Sequence, residues 1–250
     1  MTSILLSTEV EEGSGVKSIA EASAYRIEGK SLVVLHVNCR SVYNKVIKLW
    51  NLVDTYNPNV VTLLKEGVSN AEVLRDDFNF FRMDRSARGG GILYVKNVIA
   101  STELWADDFE IIAVELKGMG PKHTWEIIGI YRAPNEDTLT IERLSARILP
   151  TQNLTKRSII GGDLNLPQAD WNGDAEKASG FQACVNDLVW DSGYTQVVSG
   201  PTRGDALLDI YLLRPKRSFI SCDILPGISN HKGILLEDGM KFVGSQKQKE

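Results

Sequence analysis

Residues 158–171, "SIIGGDLNLPQADW", decide how the rest of the chain is read. Ile159 and Ile160 run into Gly161 and Gly162 as the end of a buried strand, and Asp163 and Asn165 follow two positions apart. At the C-terminal end of a strand, an acid and an amide on one side can orient a water and hold a phosphate oxygen or a metal. The same pair also reads as an Asx-type turn whose side chains cap the local backbone. A motif this short does not choose between the two.

Outward from it, short β-branched runs alternate with amphipathic stretches. "SLVVLHV", "NVVTLL", "GILYVK", "IIAVELKG", "TWEIIGIY", "RSIIGGD", "LLDIYLL", "FISCDIL" and "GILLE" read as strands. Val42, Val46, Leu49 and Val53 recur at helical spacing, which predicts a helix over 41–56 packed by one face. Pro58 blocks its continuation and starts the next strand. "EDTLTIERLSARIL" and "KASGFQACVNDLVW" read as further helices. Many strands with few helices between them imply two sheets faced by helices. Residues 1–30 read as a flexible leader, 31–237 as the folded domain, and 238–250 as a disordered tail.

Bulk properties narrow the class. With 250 residues, 43% hydrophobic and 24% charged, the chain can bury a substantial core. No apolar run approaches the ~20 residues of a membrane helix, and the start lacks the basic flank of a signal peptide. Cys39, Cys184 and Cys222 are widely spaced without a CxxC pair, which argues against a disulfide framework or a zinc site. The formal charge of −4 does not advertise nucleic-acid binding, although phosphate contacts need only a local basic face.

Other residues qualify for chemistry one by one. Asp209 lies inside "LLDIYLL", and a strand acid among leucines is costly unless paired. An Asp209–His231 pair would satisfy it and raise the basicity of the histidine; an Asp at an open sheet edge is the alternative. Asn38 ends the first strand, and Tyr131 and Arg132 end "IIGIYR". Arg85 and Arg88 flank three glycines where backbone could approach a phosphate, or where a hairpin simply turns.

The order of the pieces says more than any one of them. N-C-R-S from Asn38, a second strand ending in an acid, R-x-x-R-G-G-G from Arg85 and Y-R-x-P-N from Tyr131 come first. G-D-L-N-L-P from Gly162, L-D-I-Y-L from Leu208 and S-x-H from Ser229 follow. This order resembles the endonuclease/exonuclease/phosphatase superfamily, and more closely the apurinic-type endonuclease domain of non-LTR retrotransposons, over residues 31–237. The resemblance implies a four-layer α/β sandwich, with two mixed sheets face to face and helices outside. It implies a site in which Asn38 helps place the metal and Asp163 aligns or deprotonates the attacking water. Asn165 would orient Asp163 and contact the phosphate, Tyr131 would donate to the phosphate, and His231, held by Asp209, would stabilise its developing charge. The implied cofactor is Mg2+ or Mn2+, the partner is DNA, and the product is a nick with a 3′-hydroxyl. Neither a membrane nor an obligate protein partner is implied, and genomic DNA as substrate points to the nucleus.

Two metal-side carboxylates depart from the family pattern. S-D-H before the last strand is written Ser229, Asn230, His231. The family glutamate sits seven residues after the strand's proline, a place that here falls on Lys65, with Glu66 one step beyond. A one-residue slip on a strand reverses the face, so Glu66 is expected to point away and Lys65 to occupy the cation's seat. Cation affinity and nicking are then expected to be weak or lost, and Asn230→Asp alone is not expected to restore them. Two alternatives stand beside a nuclease. One is a non-catalytic nucleic-acid-binding remnant, with Arg203, Arg214, Lys216 and Arg217 joining Arg85 and Arg88 in a basic rim. The other is a phosphatase of the same superfamily.

Overall fold

The computed structural model describes residues 31–42, 44–66, 74–84, 90–107, 111–117, 124–134, 138–148, 157–171 and 180–239. The leader and nearly all of the tail lie outside them, as do Arg85, Arg88 and His123. Among the described residues twelve strands form two six-stranded sheets. The first sheet has the order β11 (Phe219–Leu225), β12 (Gly233–Asp238), β1 (Leu32–Ser41), β2 (Val60–Glu66), β4 (Gly90–Lys96), β3 (Phe78–Asp84). The second runs β5 (Ser101–Asp107), β6 (Ile111–Lys117), β7 (Thr124–Tyr131), β8 (Arg157–Asp163), β10 (Asp209–Arg214), β9 (Thr195–Gln196). Both are mixed: β1–β2 and β7–β8 are parallel and the other pairs antiparallel.

Strand periodicity sorts the side chains into layers. Leu32, Val34, Val60, Ile127, Ile159, Tyr211 and Leu236 meet between the sheets. The alternate residues Leu35, Val37, Val61 and Leu63 pack against Leu49 and Val53 of helix α1 (Val46–Tyr56). On the far side Ile128, Ile160 and Ile210 pack against Ile141 and Leu144 of α2 (Leu139–Ile148) and Val185 of α3 (Phe181–Asn186). The four layers expected from the sequence are therefore present. Gly161 is required where the sheets meet, because a Cβ there would land on the ring of Tyr211.

The boundaries differ in instructive ways. Ser41 belongs to β1 rather than to the helix, which starts only after Lys45 N–H closes a turn on Val42 C=O. Asn57 ends α1 in the left-handed conformation (φ 48), donating its N–H to Val53 C=O. β12 runs through Asp238, one residue past the expected domain end. The strands that escaped the sequence reading, β3, β5 and β9, all lie at sheet edges. Edge strands face solvent and need no continuous apolar run.

Candidate active site

The face that forms the inter-sheet core turns polar at one end. Along β1, Leu32 and Val34 give way to His36 and Asn38; along β2, Val60 gives way to Thr62. Tyr131, Asp163 and Asp209 fall in one ladder row across β7, β8 and β10. Five residues expected from the sequence thus meet: Asn38, Tyr131, Asp163 and Asp209 at strand ends, and His231 on the loop before β12.

The polar atoms are held closely. Asn38 donates from Nδ2 to Asp163 Oδ2 at 2.9 Å, and its Oδ1 accepts the N–H of Arg40 at 3.1 Å. Asn165, with φ 48, donates its N–H to Asp163 Oδ1 at 2.9 Å and its Nδ2 to Arg132 C=O at 2.8 Å. The pair therefore forms an Asx-type turn whose carboxylate also accepts from Asn38. Asp209 Oδ2 accepts from His231 Nδ1 at 2.7 Å, as the sequence predicts for a paired strand acid. Ser229 fixes the loop: its hydroxyl donates to Asn38 C=O at 2.6 Å and accepts His231 N–H at 3.0 Å.

Sequence reasoning missed His36, Thr62 and Thr202. His36 Nε2 lies 3.1 Å from Asp209 Oδ1, and its Nδ1 lies 2.8 Å from Thr62 Oγ1. Thr202 Oγ1 accepts the N–H groups of Leu208 and Asp209, steadying the start of β10. The available signal was phase: His36 and Thr62 break apolar runs at core-facing positions.

Burial and charge drive the two aspartates apart. The Asp163 carboxyl is pushed up to about 7 by burial and by the charge of Asp209, against the pull of His231, the Asn165 N–H and Arg203. Burial also opposes ionisation of Asp209. Hydrogen bonds from His231 and His36, with their charge, outweigh it and hold that carboxyl well below the usual range.

Asp163, Asp209 and His231 each offer a ligand atom within 4.8 Å of the others. Both Asp209 oxygens and His231 Nδ1 are engaged with histidine or with each other, which leaves them poor ligands. Among the described residues the remaining side-chain oxygens at this end are those of Asn38 and Asp163, each accepting one hydrogen bond, and of the exposed Asn230 next to His231. Oxygen donors suit a hard divalent cation, and this set contains a single carboxylate.

The described backbone carries β2 as far as Glu66, whose side chain lies outside the described residues. The pairing irregularity beside it lies in β1, between Asn38 and Arg40, so β2 alternates without interruption. Val60 faces the inter-sheet core and Thr62 meets His36, whereas Val61 and Leu63 pack toward α1. In the backbone ladder Lys65 pairs with Arg40 and Glu66 with Ser41. Leu64 takes the ladder position beside Asn38, and Glu66 lies two residues, about 7 Å, further along.

The basic rim is corrected. Arg214 is buried, donates to Ser192 C=O at 3.0 Å and stacks on Tyr194. Arg214 pairs with Ser158 at the opposite end of β10 from Asp209, so Lys216 and Arg217 follow at the far end of the sheet. Arg203 alone of that group lies near the site, within reach of the Asp163 charge. Beside Asn165 a cavity of about 400 Å3 opens between Arg132, Pro134, Leu166, Pro167, Phe181 and Gln182. The Arg132 guanidinium lies 4.4 Å from the Phe181 ring centre.

Comparison with known proteins gives the same architecture. The endonuclease domain of TRAS1, a telomere-specific non-LTR retrotransposon, superposes with a TM-score of 0.66 at 14% identity, covering 83% of this chain and 98% of that one. This chain shares that fold. Two further solved structures agree. The catalytic domain of Xenopus laevis APE2 has a TM-score of 0.67 at 12% identity, covering 86% of this chain and 94% of its own. The 3′-5′ exonuclease NExo from Neisseria meningitidis has a TM-score of 0.65 at 14% identity, covering 83% and 99%. Residues 125–235 match the endonuclease–reverse transcriptase family model, in keeping with the resemblance read from the sequence. Among curated proteins none matches the chain. Among the described residues no helix is long and apolar enough to cross a membrane.

Proposed function

We propose that the chain is a phosphodiester hydrolase acting on DNA, of the kind that nicks one strand for a non-LTR retrotransposon, with a weakened cation site. The observation that carries this reading is the Tyr131–Asp163–Asp209 row, faced by Asn38 and His231. Asp163, its carboxyl pushed up to about 7, is suited to align and deprotonate a water near neutral pH. Asn165 holds Asp163 through its N–H and, with Tyr131, borders the phosphate. His231 gives Nδ1–H to Asp209 and so presents Nε2 to the developing negative charge.

Asn38, with Asn230 on the loop before β12, would hold Mg2+ or Mn2+. Such a cation neutralises charge on the scissile phosphate. The amide of Asn230 withholds one negative charge, which at about 4 Å is worth about 1–4 kcal/mol between the limits of water and a protein surface. That deficit supports weak nicking.

Relaxation of supercoiled plasmid, titrated with Mn2+, tests the proposal. Slow nicking that needs high Mn2+ and falls to background in His231→Ala is expected. Rapid nicking at low Mg2+ would remove the weakened-site claim, and nicking unaffected by His231→Ala would remove the site itself. Salt-sensitive DNA binding with no nicking at any Mn2+ concentration, in Asn230→Asp as well, would leave the nucleic-acid-binding remnant as the function.

A further inference from the structure

We propose that His36 is a positioning residue: it anchors the far oxygen of Asp209 and thereby fixes which nitrogen His231 presents to the cleft. His36 is fully buried on the inter-sheet face of β1 and ties that sheet to β10 of the other. A valine or leucine would fill such a position without the cost of burying an imidazole, so its two hydrogen bonds need an explanation beyond packing. Both ring nitrogens are used, Nε2 against Asp209 and Nδ1 against Thr62.

The protons follow by exclusion. Ionised Asp209 only accepts, so both imidazoles donate to it: His36 from Nε2 to Oδ1 and His231 from Nδ1 to Oδ2. In the Nε2–H tautomer of His36, Nδ1 carries no proton and accepts the hydroxyl hydrogen of Thr62. The two histidines are opposite tautomers around one carboxylate. Asp209 has its backbone N–H anchored on Thr202 Oγ1 and its two carboxylate oxygens anchored on the histidines, so the carboxylate cannot rotate without breaking a buried bond. Without His36, Oδ1 loses its donor and Asp209 is free to turn, and the Nδ1–H form of His231 loses its template. That His231 then serves phosphodiester cleavage rests on the proposed function; the tautomer pattern does not.

The experiment is a long-range 1H–15N correlation spectrum of the imidazole rings, on the full chain without DNA, for the unaltered protein, His36→Gln and His36→Phe. The unaltered protein is expected to show His36 protonated on Nε2 and His231 on Nδ1. His36→Gln, whose amide can still donate to Oδ1, is expected to retain the His231 pattern, and His36→Phe to lose it to a mixture of tautomers. An Nδ1–H form of His36 in the unaltered protein would overturn the proposal even if His36→Phe does not fold. So would a folded His36→Phe with an unaltered His231 signature. Plasmid nicking, measured in parallel, separates the two ideas. Absence of nicking in the unaltered protein with the expected spectra contradicts the catalytic reading alone.

Discussion

The His231 side of the cleft and the Asn230 side satisfy their polar atoms in different ways. On the first, His231, Asp209, His36 and Thr62 form one buried chain of hydrogen bonds joining both sheets. On the second, Asn230 is exposed. The first side doubles as part of the core, so any change there disturbs folding. The second, the proposed cation side, includes a rim position that the fold does not need. A side chain there can change with little penalty in stability, and an amide stands at that position here.

The sharpest way to break this contrast is to truncate each side. Asp209→Ala strands two buried histidines and is expected to destabilise the protein by about 3–5 kcal/mol, read from the urea midpoint at constant slope. A cost under about 1 kcal/mol would show that the chain is not part of the core.

Substitutions at Glu66 and Lys65, at the end of β2, are expected to give the next largest effect. In an Asn230→Asp background, Glu66→Gln is expected to raise the half-saturating Mn2+ concentration on the order of tenfold, about 1.4 kcal/mol, whereas Lys65→Gln leaves it within twofold. The opposite ranking would support the slip reading.

Titration sharpens the comparison further, because the two aspartates have opposite signs. Asp163 is raised, so the folded state binds more protons than the unfolded one between the ordinary carboxylate range and about 7, and stability falls as pH rises through that window. Asp209 is depressed, so its contribution is present above the ordinary range and lost as pH falls below it. With cation chelated, Asp163→Asn is expected to raise the melting temperature more at pH 8 than at pH 5, by a few degrees at about 2–4 °C per kcal/mol. An equal shift at both values would remove the electrostatic account. Asn230→Ala, the smallest effect, is expected to leave stability within about 0.5 kcal/mol, as for an exposed side chain without a structural partner.

How much was legible in the sequence follows the same division. The central strands announce themselves because both of their faces are buried, and Asp163, Asn165, Asp209 and His231 stand out as polar residues at their ends. The edge strands β3 and β5 did not, since solvent accepts their polar residues without complaint. His36 was visible only as one histidine among three, because its role depends on Asp209, 173 positions away in the chain. Arg214 was taken for a surface charge because sequence cannot show an arginine capped by Ser192 C=O and covered by Tyr194.

The central claim, an intact anion half beside a cation half short of charge, is tested most directly by the Mn2+ dependence of plasmid nicking in Asn230→Asp against the unaltered protein. Restoring the carboxylate is expected to lower the half-saturating Mn2+ concentration on the order of tenfold or more, and to leave the folded stability unchanged. Coincident Mn2+ curves for the two proteins, with the unaltered chain already saturated at low concentration, would contradict it.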